Sequence, residues 1–185
     1  MRVFAALPLP HWAVDAISLV LGPIRKEHPQ LRWVSQSAYH LTLHFFGEVE
    51  GESLEALRRV FGETRLRRSP LVAKLGPLGQ FPSGGNPRVI WVGLRDDDGA
   101  LQSYWQLFEN AISPLGWEPD KRGFTPHVTL ARNPGLRLPL DWDSAARLPE
   151  VAFSIPECVL FQSILGRGGA EYVPLERIRF DGGPT

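Results

Sequence analysis

The sequence is short of cysteine, of lysine, of net charge and of long apolar runs, and each shortage removes a class of protein. Cys158 is the one cysteine in 185 residues, so no intrachain disulfide can form and no cysteine-based zinc spacing exists. A reducing compartment, and with it a cytoplasmic location, is the expectation. No apolar stretch approaches the roughly 18 residues that suggest a membrane span. The opening MRVFAALPLP is broken by Pro8 and Pro10 before a signal-peptide core is complete, and reads as a first strand. Lys+Arg 20 and Asp+Glu 20 cancel. That balance argues against a protein that coats long nucleic acid, and leaves a small or terminal phosphate open as a target. Only Lys26, Lys74 and Lys121 stand beside 17 arginines. Arginine is the better bidentate phosphate ligand, yet the two solvate a surface equally well, so this bias is compositional in the main. What remains is 43% hydrophobic and of one-domain size, able to bury a core unaided.

The chain mixes strand and helix patterns. Arg2 to Leu7, Leu31 to Val34, Tyr39 to Phe46, Leu71 to Gly76, Arg88 to Leu94, His127 to Ala131, Val151 to Ile155, Val159 to Leu165 and Glu171 to Phe180 read as strands. Helical spacing runs from His11 to about His28 on Trp12, Ala16, Leu19, Val20 and Ile24. It returns from Ser53 to about Thr64 on Leu54, Leu57 and Phe61, and from Gly99 to about Leu115 on Leu101, Trp105, Phe108 and Ile112. Asp96 to Asp98 suit the positive end of that third helix. The segment QFPSGGNP is expected to top a hairpin, and Asn133 to Pro149 shows no clear period. The mixed strand spacing favours α+β over a doubly wound parallel sheet.

One pattern stands above the background. Residues 40 to 43 read HLTL and residues 127 to 130 read HVTL. Two copies of His-x-Thr-Leu arise by chance on the order of once in ten thousand chains of this length. On a strand, residues i and i+2 share a face, so His40 projects beside Thr42, and His127 beside Thr129, with the intervening aliphatic residues turned inward. Two such strands facing one another place two imidazoles and two hydroxyls around one tetrahedral group. That set suits phosphoryl chemistry: one neutral imidazole takes a proton from water, one protonated imidazole gives a proton to the leaving oxygen, and the hydroxyls hold non-bridging oxygens. A zinc site on His40 and His44 needs a helix; on a strand the two lie about 13 Å apart, and no HExxH pattern follows. No metal and no cofactor are expected.

With its flanks the pattern resembles a known family. HLTLHFFG and FTPHVTLAR, the opening RVFAALPLP, RWV at 32 to 34, RVIWVGL at 88 to 94 and the tail LFQSILGRGGAEYVPL are similar to the two-histidine (2H) phosphoesterase superfamily. Within it, the match is to the RNA 2′,3′-cyclic phosphodiesterases, also called 2′-5′ RNA ligases. The resemblance implies a bilobal α+β fold: two antiparallel sheets related by a pseudo-twofold around a central cleft, helices outside, and residues 1–185 forming one domain of two intertwined lobes. It implies hydrolysis of an RNA or nucleoside 2′,3′-cyclic phosphate to a 2′-phosphate, with His40 as general base, His127 as general acid, and Thr42 and Thr129 holding the phosphate. Ligation would be the reverse reaction at the same site.

Two further residues are candidates. Arg132 ends the second motif and is a candidate phosphate ligand, although strict alternation aims it away from His127 unless the strand bends there. Phe124 is a candidate stacking surface for the base. Arg58, Arg59, Arg65, Arg67 and Arg68 form a cluster that, with Glu55 and Glu63 among them, reads as a solvated face. The expected partner is an RNA 3′ end or a nucleoside 2′,3′-cyclic phosphate, the expected state a monomer without membrane association. The rival reading is a protein that binds RNA ends or nucleotide 2′-phosphates with little catalysis.

Overall fold

A computed structural model describes residues 1–119, 121, 123–137, 148–150, 152–166 and 169–180. Its elements are β1 (Arg2–Pro8), α1 (His11–Glu27), β2 (Arg32–Trp33), β3 (His40–Glu48), α2 (Gly51–Phe61), β4 (Leu71–Phe81), β5 (Val89–Arg95), α3 (Ala100–Ile112), β6 (His127–Arg132), β7 (Ala152–Ile155), β8 (Glu157–Gly166) and β9 (Gly169–Arg179). Within the segment without period, 138–147 lie outside the described residues, as do Val151 and the middle of the GRGG turn.

All strand pairs are antiparallel. The order is β7-β4-β5-β6-β3-β1-β8-β9, with β2 added to β6. The two halves, β7-β4-β5-β6 and β3-β1-β8-β9, join through the single pair Leu41 and Val128. The two sheets that the resemblance implies are thus halves of one sheet that join at one residue pair, at the start of the two His-x-Thr strands.

Helices cover one face of this sheet and share its core. On α2, Leu54, Leu57, Val60 and Phe61 are buried; on α3, Leu101, Trp105, Phe108 and Ile112 are. The amides of Leu101 and Ala100 are capped by the carboxylates of Asp96 and Asp98 at 2.8 and 3.1 Å, which satisfies donors the helix cannot. On α1 the buried stripe is Ala13, Ile17, Leu21 and Ile24, not the expected one: Leu19 is 81% exposed and Trp12 41%. This helix is apolar on several faces, so periodicity alone does not select the one that meets the sheet.

The strand β4 runs five residues past its expected end at Gly76. Leu75 pairs with Leu94 and Leu78 with Val92, so Gly76 and Pro77 sit in a bulge where the missing proline N–H costs no ladder bond. The extension carries Phe81 to the open face. Cys158 is fully buried and its thiol is pushed up by that burial, which leaves it without nucleophilic character.

Candidate active site

The sheet face opposite the helices carries both motifs. Leu41 and Val128 are fully buried beneath it and stand opposite each other in antiparallel register, which sets His40 toward Thr129 and Thr42 toward His127. Neither threonine hydroxyl makes a hydrogen bond among the described residues, and both side chains are half-buried.

The two imidazoles are held alike. His40 Nδ1 lies 2.8 Å from the Ala38 carbonyl and His127 Nδ1 2.6 Å from the Thr125 carbonyl. A carbonyl only accepts, so Nδ1 carries the hydrogen in each ring and Nε2 is left free for chemistry. Aromatic rings fix the imidazole planes from the side. Phe4 and Tyr172 stand 4.9 and 5.2 Å from the His40 ring; Phe81 and Trp91 stand 5.1 and 6.0 Å from that of His127.

These surroundings disfavour the charged form of both rings. Burial lowers the His40 pKa to about 4, helped by the nearby charges of His127 and Arg132 and opposed by the Ala38 carbonyl. Burial also lowers that of His127, against the pull of the Thr125 carbonyl. At neutral pH His40 is therefore uncharged.

Each motif strand contains a bulge that redirects the side chains beyond it. In β3, Ala5 pairs with His44 and Ala6 with Thr42, leaving Leu43 extra. In β6, Ile90 pairs with Ala131 and Trp91 with Thr129, leaving Leu130 extra. Each bulge reverses the alternation. Arg132 thereby returns to the face of His127, exposed and close enough to act electrostatically on His40 and Tyr172; this is the bend that a phosphate role for Arg132 requires. In β3 the same reversal sends His44 to the helix side, where its Nδ1 meets Glu109 Oε1 of α3 at 2.9 Å. His40 and His44 consequently lie on opposite faces. No group of three or more His, Cys, Asp or Glu suited to a metal occurs among the described residues.

Phe124 is placed differently. Its ring stacks on Trp105 of α3 at 5.2 Å and 4° and packs against the core, so one of its faces is occupied by protein. Of the arginine cluster, Arg58 pairs with Glu55 and Glu176, and Arg65 with Glu63. Phe4, Phe81, Trp91 and Tyr172 are neighbours of the imidazoles that sequence pattern does not single out. Phe4, Trp91 and Tyr172 lie in segments that carry the family resemblance, RVFAALPLP, RVIWVGL and the closing tail, whereas Phe81 lies in none.

Comparison with known proteins gives a consistent picture. Residues 7–162 match the family model described as the 2′-5′ RNA ligase superfamily. An RNA 2′,3′-cyclic phosphodiesterase of Geobacillus stearothermophilus is 31% identical over 162 residues; the match covers 86% of this chain, which spans only 51% of that longer protein. Another of the same name from Aeropyrum pernix is 32% identical over 80% of this chain and 86% of its own. A crystal structure from Thermus thermophilus superposes with a TM-score of 0.81 at 27% identity over 100% of both chains. That of Escherichia coli LigT complexed with 3′-AMP superposes with a TM-score of 0.77 at 27% identity over 97% of both.

Proposed function

The chain belongs to the 2′-5′ RNA ligase superfamily, and from that membership we propose that it hydrolyses RNA or nucleoside 2′,3′-cyclic phosphates to 2′-phosphates by metal-independent general acid/base catalysis. The observation that carries the reading is the pair of imidazoles, each pinned through Nδ1 to the carbonyl two residues before it, each beside an unbonded threonine hydroxyl.

In this reading His40 Nε2 accepts a proton from water as the water oxygen attacks phosphorus. His127 Nε2–H protonates the 3′ oxygen as its bond to phosphorus breaks, which leaves a 2′-phosphate and a 3′-hydroxyl. Thr42, Thr129 and Arg132 donate to the non-bridging oxygens, where charge gathers in the transition state. The depressed basicity of His40 matches its role, because a base must be unprotonated at neutral pH. Ligation is the reverse, with the two imidazoles exchanging roles; bulk water in an open cleft makes it the minor direction.

The test is incubation with 2′,3′-cyclic nucleotides and cyclic-phosphate-ended RNA in EDTA, with products identified by phosphorus NMR. Expected are turnover to 2′-phosphates and a loss of about 10²- to 10⁴-fold in His40→Ala and in His127→Ala. Full activity in either variant overturns the mechanism, a 3′-phosphate product overturns the assignment of roles, and tight binding of a 2′-phosphate without turnover points to the binding protein instead.

A further inference from the structure

The halves β7-β4-β5-β6 and β3-β1-β8-β9 meet at the pair Leu41 and Val128. A joint of one pair sets the register of the two motif strands but restrains their angle poorly, and a change of angle alters the distance between the imidazoles. The chain crosses from one half to the other between β2 and β3. At the near end β2 is bound to the second motif strand: Arg32 pairs with Arg132 and Trp33 with Ala131, and the Val34 amide donates to the Leu130 carbonyl at 2.9 Å. At the far end Tyr39 leads directly into His40.

One nitrogen grips both ends of this crossing. Arg25, in the last turn of α1, donates from Nη2 to the Val34 carbonyl at 3.0 Å and to the Tyr39 hydroxyl at 2.7 Å. Its guanidinium carbon lies 5.3 Å from the centre of the Trp33 ring, and the Trp33 indole N–H is tied to the His28 carbonyl at 3.0 Å. No carboxylate pairs with Arg25 among the described residues. The half-buried cation is thus held by a carbonyl, a phenol and an indole face, all of them on the crossing. Between the gripped ends the 3₁₀ turn Gln36–Ala38 presents the Ala38 carbonyl that binds His40 Nδ1 at 2.8 Å. Ser35, Gln36 and Ser37 are exposed, so the turn is held through its ends. The Thr125 carbonyl that binds His127 belongs to another segment.

We propose that Arg25 is a positioning residue for the hydrolysis: by tying Val34, which is bound to the second motif strand, to Tyr39, which precedes His40, it fixes the His40 imidazole relative to His127. This role rests on the proposed hydrolase reading. Arg25 acts through the backbone of the crossing, so its loss changes the alignment of the base while the threonine hydroxyls that hold the phosphate stay in place.

The test substitutes Arg25→Met, which keeps the apolar stem and removes both donors. With adenosine 2′,3′-cyclic phosphate, kcat is expected to fall about ten-fold while KM stays within about two-fold. Exchange of the His40 Nδ1–H with water, read by NMR of protein labelled with ¹⁵N-histidine, is expected to quicken about ten-fold while that of His127 keeps its rate. Arg25→Lys, which keeps a cation with several donor hydrogens, is expected to recover part of both effects. An unchanged kcat or an unchanged His40 exchange rate in Arg25→Met overturns the proposal, as does equal quickening at both histidines, which is the mark of a general loss of stability. If Arg25→Met does not fold, Tyr39→Phe, which removes one of the two bonds and keeps the ring, takes its place, with changes of about three-fold expected in the same two quantities. If the wild-type protein shows no turnover, the hydrolase reading fails, and the exchange rates alone decide whether Arg25 places His40.

Discussion

Leu43 and Leu130 occupy equivalent places in their strands: each is the extra residue of a bulge, one position after the threonine of its His-x-Thr motif. The pair of bulges reverses the alternation, so the side chain five positions after each histidine returns to the open face.

Arg132 tests that consequence. Its guanidinium acts on His40 through space and contributes to keeping that imidazole neutral. Arg132→Met is expected to move the His40 titration to higher pH, read by proton NMR, and to lower kcat/KM about 10²-fold. Arg132→Lys is expected to hold the titration near its wild-type position while losing activity, since it retains the charge and loses the planar fork. If the methionine variant leaves the titration in place, Arg132 does not reach the site.

The acid side of the stability curve follows from the same ring. The His40 pKa falls from the ordinary 6.5 to about 4 in the folded protein, so between those pH values the unfolded chain binds a proton that the folded chain does not. Stability is therefore complete above pH 6.5 and declines as pH falls toward 4, by at most about 1.4 kcal/mol per pH unit for this group. His127, shifted in the same direction, adds to the decline. In His40→Asn, whose amide keeps a donor for the Ala38 carbonyl, urea midpoints at pH 7 and pH 5 are expected to lie closer together than in the wild type. Equal separations would show that His40 titrates normally.

The motif strands, the helices α2 and α3 with their buried stripes, and the aspartate cap were legible in the sequence because each rests on local pattern: a period of two, a period of 3.6, or a short polar residue before a helix. What escaped it rests on departures from those periods. Alternation carried through Leu43 and Leu130 misdirects the residues beyond them, and Gly76-Pro77 reads as a strand end although the bulge there lets β4 continue to Phe81. The apolar surplus of α1 hides its inner face. Phe124, three residues before His127, is near in sequence but stacks on Trp105, whereas Tyr172 reaches His40 from the far end of the chain. Such proximity is set by tertiary pairing alone.

Gly79 supports the second histidine indirectly. It pairs with Trp91 across β4 and β5, and a Cβ placed there would lie 2.3 Å from the indole ring, well inside contact distance. Trp91 would have to swing away from Phe81 and His127, its ring neighbours at 5.1 and 6.0 Å. Gly79→Ala is expected to cost about 1–3 kcal/mol of stability and to lower kcat about ten-fold, with a changed near-ultraviolet circular dichroism spectrum. Unaltered activity would show that the indole does not hold His127 in place.

The buried pair His44 and Glu109 is expected to matter for stability through its imbalance. Glu109 is 1% exposed and His44 9%; Glu109 Oε1 meets the imidazole, while Oε2 is buried with no hydrogen-bond partner among the described residues. Removing one member leaves the other buried without a partner, whereas removing both takes away the desolvated groups together. Glu109→Leu is therefore expected to destabilise by about 1–3 kcal/mol, and the double variant His44→Leu, Glu109→Leu to recover most of that loss, since a leucine side chain suits the core formed by Phe46, Phe108 and their neighbours. Urea unfolding of the four proteins of this cycle gives the coupling directly. A double variant that loses the sum of the two single effects would show that the residues act independently, and that the bulge at Leu43 places His44 beside Glu109 without energetic consequence.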